Sequence, residues 1–149
     1  MRMLIFDALL LSCCGYAVWR GGSPERIVGA ALALAYAATL LSYTAVARRF
    51  GRVETGVFGV DLVLLAILIF VALKADRGWT FGVAALQLDT VSAHLAKALD
   101  IEMIRVTYAV MPAMWSYPIL LLLAIGTWRH RRRVRQNGLD LAWSKSRDV

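Results

Sequence analysis

Cysteine and histidine are scarce in this 149-residue sequence, and their scarcity excludes several kinds of site. The cysteines, Cys13 and Cys14, are adjacent, and adjacent cysteines rarely satisfy disulfide geometry, so we expect buried free thiols. The histidines are His94 and His130, and the second follows the last apolar run, far from the first. One chain therefore cannot clamp a bis-histidine haem between them, and the ligand cluster of a zinc site is missing. No cofactor is assigned.

The common local signatures of catalysis are also missing. The sequence has no glycine-rich phosphate loop, nucleophile elbow, HExxH motif or CxxC motif. These absences disfavour an enzyme. A lipid enzyme built from scattered side chains stays open, because Asp100, Glu102 and Arg105 follow His94 closely.

Apolar residues, in contrast, make up 60% of the chain, and the mean hydropathy is +0.62. Soluble domains use about 45 to 50% apolar residues. A membrane span needs about 20 apolar residues, so this length accommodates about five. The sequence predicts an all-α integral membrane bundle with spans at residues 3–19, 27–47, 57–73, 79–99 and 108–128, followed by a basic cytoplasmic tail at 129–149.

Acidic residues are fewer than basic residues, 10 against 17. Much of the net charge of +7 follows the last apolar run, in Arg129, Arg131, Arg132, Arg133 and Arg135. Positive residues in that position are typical of a cytoplasmic membrane flank, where they attract anionic lipid headgroups. We therefore expect lipid anchoring and no nucleic-acid binding. The 14 arginines against 3 lysines weakly indicate a GC-rich bacterium and thus an inner membrane.

The distribution of positive charge does not decide the number of spans. Five spans with the N-terminus outside leave 11 basic residues inside and 6 outside. A four-span arrangement, in which residues 79–99 are re-entrant or interfacial, gives the same numbers. We favour five spans because 79–99 is long enough to cross, and neighbouring helices can shelter its polar groups.

The fourth predicted span is unusually polar. At 100° per residue, Gln87, Thr90, His94 and Lys97 fall within about 80° of one another, whereas Asp89 lies about 140° from His94. We expect the stripe to face other helices, with Gln87 and Thr90 as interhelical hydrogen-bonding groups.

Three ionisable residues are predicted at one depth. Asp7 and Asp61 each follow the start of a parallel span by four residues, and His94 precedes the end of an antiparallel span by five. Such a layer could bind a cation or polar headgroup, or relay protons, because ionisable groups inside membranes are costly and commonly functional. Alternatively, the carboxylates favour the dipole of a first helical turn, and His94 is a packing residue.

The second predicted span carries Gly29, Ala33 and Ala37 at four-residue intervals, which lets another helix approach closely. We therefore expect a small protein that acts by helix–helix association, as a homo-oligomer or as an accessory subunit of a membrane complex. The first alternative is a proton- or cation-coupled channel or transporter that uses the predicted layer. The second is a protein or enzyme that binds a lipid or quinone headgroup.

Overall fold

The computed structural model describes residues 2–46, 53–99, 105–138 and 143. These residues form five helices: α1 (Arg2–Arg20), α2 (Ser23–Val46), α3 (Val53–Lys74), α4 (Gly78–Leu99) and α5 (Arg105–Asn137). No strand occurs among them, and Ala75 and Trp143 make one isolated antiparallel bridge. The prediction of an all-α protein with five helices is confirmed.

Successive helices pack against each other in an antiparallel sense, and α1 also packs along α5. The α1–α5 contact is parallel. Near one end the rings of Phe6 and Tyr117 lie 5.5 Å apart, and near the other Gly22 approaches His130. The five helices therefore form a closed bundle in which α2 also contacts α5.

The turn between α1 and α2 is built on Gly21 and Gly22. A Cβ on Gly21 would lie 2.4 Å from the carbonyl oxygen of Ala17, and one on Gly22 would lie 2.9 Å from the His130 ring. Only glycine fits so close an approach. Ser23, Pro24 and Glu25 then begin α2, as expected from their preferences for the first helical positions.

The centre of the bundle is apolar and receives side chains from every helix. Its buried members are Leu10, Cys14, Ala17, Val28, Ala31, Leu64, Leu68, Val71, Ala75, Val83, Ile119, Leu120 and Leu123. Two stretches, Ser23–Ser42 in α2 and Gly56–Lys74 in α3, are long and apolar enough to cross a membrane by length and composition.

Two helix boundaries differ from the predicted spans. Helix α3 begins at Val53 instead of residue 57, so Asp61 is in its third turn and not its first. Helix α5 continues to Asn137, so the arginines predicted in a tail lie on a helix that is continuous with the bundle. Asp100, Glu102 and most of the predicted tail after residue 138 lie outside the described residues, as do the side chains of Lys97 and Arg105.

Candidate functional site

A hydrogen-bonded group of Asp61, Gln87 and His94, here the Asp61 cluster, joins α3 to α4. Nε2 of Gln87 donates to Oδ1 of Asp61 at 3.1 Å, and Nε2 of His94 lies 3.1 Å from Oδ2. The His94 and Asp61 side chains are 8% and 17% exposed. Both carboxylate oxygens are thus held by nitrogen atoms in a sheltered part of the bundle.

The spacing along α4 explains this arrangement. Gln87 and His94 are seven residues apart, two helical turns, so they project from the same face and hold Asp61 from both sides. Thr90 lies between them, is buried, and donates to the carbonyl oxygen of Leu86. The Phe58 ring lies 6.0 Å from His94 and covers the imidazole on one side.

The predicted layer of Asp7, Asp61 and His94 is only partly assembled. Asp61 and His94 meet, whereas Asp7 accepts a hydrogen bond from the Tyr36 hydroxyl across the α1–α2 pair. The Tyr36 ring is steadied by an edge contact with Phe6. The three residues of the predicted layer therefore take part in two separate contacts, Asp7 with Tyr36 and Asp61 with His94.

The interpretation that Asp7 and Asp61 serve first-turn helix dipoles does not fit these positions. Asp7 is the sixth residue of α1, and Asp61 the ninth of α3. The unpaired backbone N–H groups of a helix belong to its first four residues, and the dipole effect falls off within one turn. For Asp61 in particular, the described partners are side chains of another helix.

The polar side chains of α4 differ in burial, as their angular positions around the helix predict. Gln87 and Thr90 are buried, and His94 is largely covered. Asp89 is exposed, so it does not join the Asp61 cluster. Among the predicted binding residues, Asp61, Gln87 and His94 therefore meet, and Asp89 stands apart.

The opposite end of the bundle holds a second group, Glu25, Arg77 and His130, here the Glu25 cluster. Nη1 of Arg77 lies 3.4 Å from Oε1 of Glu25, and these side chains are 2% and 0% exposed. Nη2 of Arg77 lies 3.4 Å from Nδ1 of His130. The cluster joins the start of α2, the start of α4 and the far part of α5.

Local structure fixes each member of the Glu25 cluster. Thr80 caps the turn before α4, because its backbone N and its hydroxyl both donate to the carbonyl oxygen of Arg77. Gly22 leaves room for the His130 ring and for Oε2 of Glu25, which lies 3.0 Å from where a Cβ would be. The Arg77 side chain is buried together with Glu25.

Sequence reasoning missed the Glu25 cluster. Neither Glu25 nor Arg77 is among the residues that the sequence singles out, and His130 is noted only for its place after the last apolar run. One signal was available: α2 and α4 begin at the same end of any up-and-down bundle, so Glu25 and Arg77 had to share that end. Opposite charges at the starts of two such helices favour pairing.

Apolar side chains separate the two clusters. Along α3, Asp61 precedes Lys74 by 13 residues, which is about 20 Å of helix. Leu64, Leu68 and Val71 occupy the intervening inward positions. Val83 on α4 and Leu123 on α5 are fully buried in the same region. The polar clusters are therefore not continuous in this conformation.

The small-residue face of α2 is used within the chain. A Cβ on Gly29 would lie 3.1 Å from Cβ of Ala17 and 3.3 Å from the carbonyl oxygen of Cys14, so Gly29 admits α1. Ala33 is partly buried against the core, and Ala37 is exposed. The three residues therefore do not form one free surface.

The basic segment of α5 is largely accessible. Arg129, Arg132 and Arg135 are exposed, and Arg131 and Arg133 are half-buried. The Arg132 guanidinium lies 5.7 Å from the centre of the Trp128 ring, within range of a cation–π contact. These side chains continue the positive charge of Arg20 along the same end of the bundle.

No known protein family, curated protein or solved structure matches this chain. Within the described residues, no three histidine, cysteine or acidic side chains converge as metal ligands would.

Proposed function

We propose that the chain is a five-span protein of the bacterial inner membrane in which the Asp61 cluster carries protons as part of a transport cycle. The observation that carries the proposal is the Asp61–His94 pair, two titratable groups in contact within the bundle. Ionisable groups are rare in membrane spans, face the bundle interior and commonly mark ion or proton pathways.

The distribution of side chains supports insertion into a membrane. Large apolar side chains are exposed on every helix, including Leu4, Leu34, Val63, Leu88 and Leu121. The buried set, in contrast, includes polar side chains, namely Glu25, Arg77, Thr80, Gln87, Thr90 and Thr127. Soluble proteins rarely expose contiguous apolar patches larger than a few hundred Å². Lipid contact would explain the apolar exterior.

Five spans are favoured over four because α4 packs along both α3 and α5 and spans 22 residues, about 33 Å. A re-entrant segment would not run beside both neighbours over that length. Arg20, Arg26, Lys74 and the basic part of α5 lie at one end of the bundle, and the positive-inside rule assigns that end to the cytoplasm. The end of α5 is then cytoplasmic and the start of α1 external.

The arrangement of the Asp61 cluster favours a proton over a metal cation. The Gln87 amide nitrogen lies 3.1 Å from Oδ1 of Asp61 and 3.5 Å from the Asp61 carbonyl oxygen, both of which are acceptors. The amide therefore presents donors to the carboxylate. Because an imidazole nitrogen holds Oδ2, the carboxylate presents no open pair of oxygens to a metal ion, whereas a proton can pass between carboxylate and imidazole.

Proton passage to the cytoplasmic end would require a change of conformation. The apolar layer of Leu64, Leu68 and Val71 lies between the Asp61 and Glu25 clusters and offers no polar group to a proton. An alternating motion of α3 and α4 against their neighbours would admit water to the cluster. Within this proposal, the closed part of the cycle is the state in which the apolar layer is intact.

Self-association through α2 has less support, because Gly29 is already occupied by α1. A headgroup site beside His94 also has less support, because the arginine-lined groove that suits a lipid headgroup lies at the cytoplasmic end of the bundle.

Flux measurements on purified protein in liposomes test the proposal. A potassium gradient with valinomycin imposes a membrane potential, and a pH-sensitive dye inside the liposomes reports the luminal pH. We expect the luminal pH to change faster with the wild type than in empty liposomes. Asp61→Asn and His94→Gln are each expected to lower that rate at least tenfold, since neither replacement titrates. Asp89→Asn is the matched control, because it removes an exposed carboxylate from the same helix.

Two results would overturn the proposal. One is a wild-type flux no greater than that of empty liposomes under every imposed gradient. The other is full flux from both Asp61→Asn and His94→Gln in vesicles that contain equal amounts of folded protein.

A further inference from the structure

A groove at the cytoplasmic end of the bundle lies between the end of α1 and the far part of α5. Its volume is about 390 Å³. Its lining residues come from these two helices: Trp19, Arg20, His130, Arg131, Val134 and Arg135. Three of the six carry guanidinium groups, and none is acidic.

Unequal helix lengths create the groove. Helix α1 ends at Arg20, whereas the parallel α5 continues past that level to Asn137. Arg131 and Arg135 are one turn apart, so they project from the same face of the extension, toward the end of α1. His130 forms the inner wall through its contacts with Gly22 and Arg77.

Glu25, which lies beside Gly22 and His130 at the inner wall of the groove, does not neutralise its charge. Glu25 is directed to Arg77, and the pair is enclosed within the bundle. Arg20 is stacked over the ring of Trp19 at 4.7 Å, which holds its guanidinium at the rim. An arginine guanidinium offers a planar fork of donors that fits phosphate oxygens in a bidentate manner.

We infer that this groove binds the phosphate-bearing headgroup of an anionic phospholipid of the cytoplasmic leaflet. The inference rests on the proposed insertion into a membrane. Arg20, Arg131 and Arg135 contact the phosphate and the negative leaflet surface, and Trp19 lies at the boundary between headgroup and acyl chains, where tryptophan is enriched.

The surface next to the groove fits the rest of a lipid. Trp19 is 74% exposed, and the exposed side chains of Val18 and Leu11 continue the apolar surface along α1 toward the middle of that helix. Val134 adds an apolar contact within the groove. An acyl chain can follow this strip while its headgroup stays among the arginines, and a free phosphate ion would gain nothing from it.

Two double variants with equal loss of charge test the site. Arg131→Gln with Arg135→Gln removes two guanidiniums that line the groove. Arg129→Gln with Arg132→Gln removes two exposed guanidiniums of the same helix that do not line it. Arg20→Gln, on α1, tests the opposite wall. Equal thermal midpoints in neutral detergent are the check that the variants are folded.

The measurement is the dissociation constant of detergent-solubilised protein for short-chain phosphatidylglycerol, by calorimetry, with short-chain phosphatidylcholine and inorganic phosphate as separate arms. We expect wild-type affinity for phosphatidylglycerol to be at least tenfold higher than for either other ligand. The groove pair and Arg20→Gln lower it at least tenfold, and the control pair by less than threefold.

Three results overturn the inference: equal weakening by the groove pair and the control pair, equal affinity for phosphatidylcholine, or equal affinity for inorganic phosphate. Alkaline carbonate extraction of cell membranes separates this failure from a failure of the proposed membrane insertion. If the chain is released from membranes, the membrane proposal fails. If it is retained but the two pairs bind alike, only the headgroup site fails.

Discussion

Glu25 and Arg77 face each other inside the bundle, 3.4 Å apart between Oε1 and Nη1, although each stands next to a turn. The pair links the first turn of α2 to the turn between α3 and α4. Removing one partner of a buried ion pair leaves an uncompensated charge, and the cost is about 3–5 kcal/mol.

We therefore expect Arg77→Met to lower the unfolding free energy by about 3 kcal/mol or more, from the same reasoning on buried charges. Reversible unfolding in mixed micelles, followed by circular dichroism, gives the value. Lys74→Met is the control, because it removes an exposed cation three residues away. Adding Glu25→Gln to Arg77→Met should recover part of the loss. Equal stability of Arg77→Met and the wild type would show that the pair contributes nothing.

The glycine turn provides a second prediction. Gly22→Ala introduces a Cβ 2.9 Å from His130 Cε1, so the ring and the arginine that it contacts must shift. We expect a loss of about 1–3 kcal/mol, as for other overpacked sites. Gly15→Ala, in the middle of α1 with nothing within 4 Å of the new Cβ, should instead stabilise by about 0.5–1 kcal/mol. If Gly22→Ala and Gly15→Ala both shifted the thermal midpoint in the same direction, the result would contradict this account.

A third prediction concerns the α4–α5 contact. The Trp79 ring lies so close to Gly126 that a Cβ there would be 2.6 Å from the ring. Gly126→Ala should destabilise the bundle, and Trp79→Leu should remove most of that penalty in the double variant. Gly59→Ala, where the new Cβ meets nothing, controls for helix propensity. An additive double-mutant cycle in unfolding free energy would refute the contact, because residues in contact are expected to couple.

The fourth prediction concerns the hydrogen bond from Tyr36 to Asp7. Tyr36→Phe keeps the ring beside Phe6 and removes only the hydroxyl. Hydrogen bonds to charged groups contribute about 1.5–3 kcal/mol, and partial exposure lowers the expected loss to about 1 kcal/mol. Tyr117→Phe is the matched control, because Tyr117 also contacts Phe6 through its ring. Equal unfolding free energies for the two variants would argue against the hydrogen bond.

Some of these contacts could be predicted from the sequence. The helices followed from apolar runs between glycine-rich or charged turns, and their number is confirmed. The fold-back at Gly21–Gly22 also fixes register: Asp7 and Tyr36 lie 14 residues on either side of the two glycines, and Cys14 and Gly29 lie 7 on either side. Applied to the sequence, that symmetry would have paired Asp7 with Tyr36.

Other features depended on information that periodicity does not carry. The inward face of α4 could be predicted from the spacing of Gln87 and His94, but its rotation toward Asp61 depends on packing against α3. Helix α3 begins at Val53, four residues before the predicted span, because the polar residues before 57 interrupt the hydropathy pattern but not the helix. Likewise, the end of the apolar run at Trp128 does not end α5, since arginine is a good helix former.

The parallel arrangement of α1 and α5 has a practical consequence for engineering. Arg2 and Asn137 lie at opposite ends of the bundle, separated by at least the length of α1, about 28 Å. A peptide that joined them, as in a circular permutant or a tandem fusion of two copies, would need roughly nine fully extended residues to cover that distance. If the bundle spans a membrane as proposed, such a peptide would itself have to cross the bilayer, and a linker that contains a further hydrophobic helix would be needed to preserve the fold.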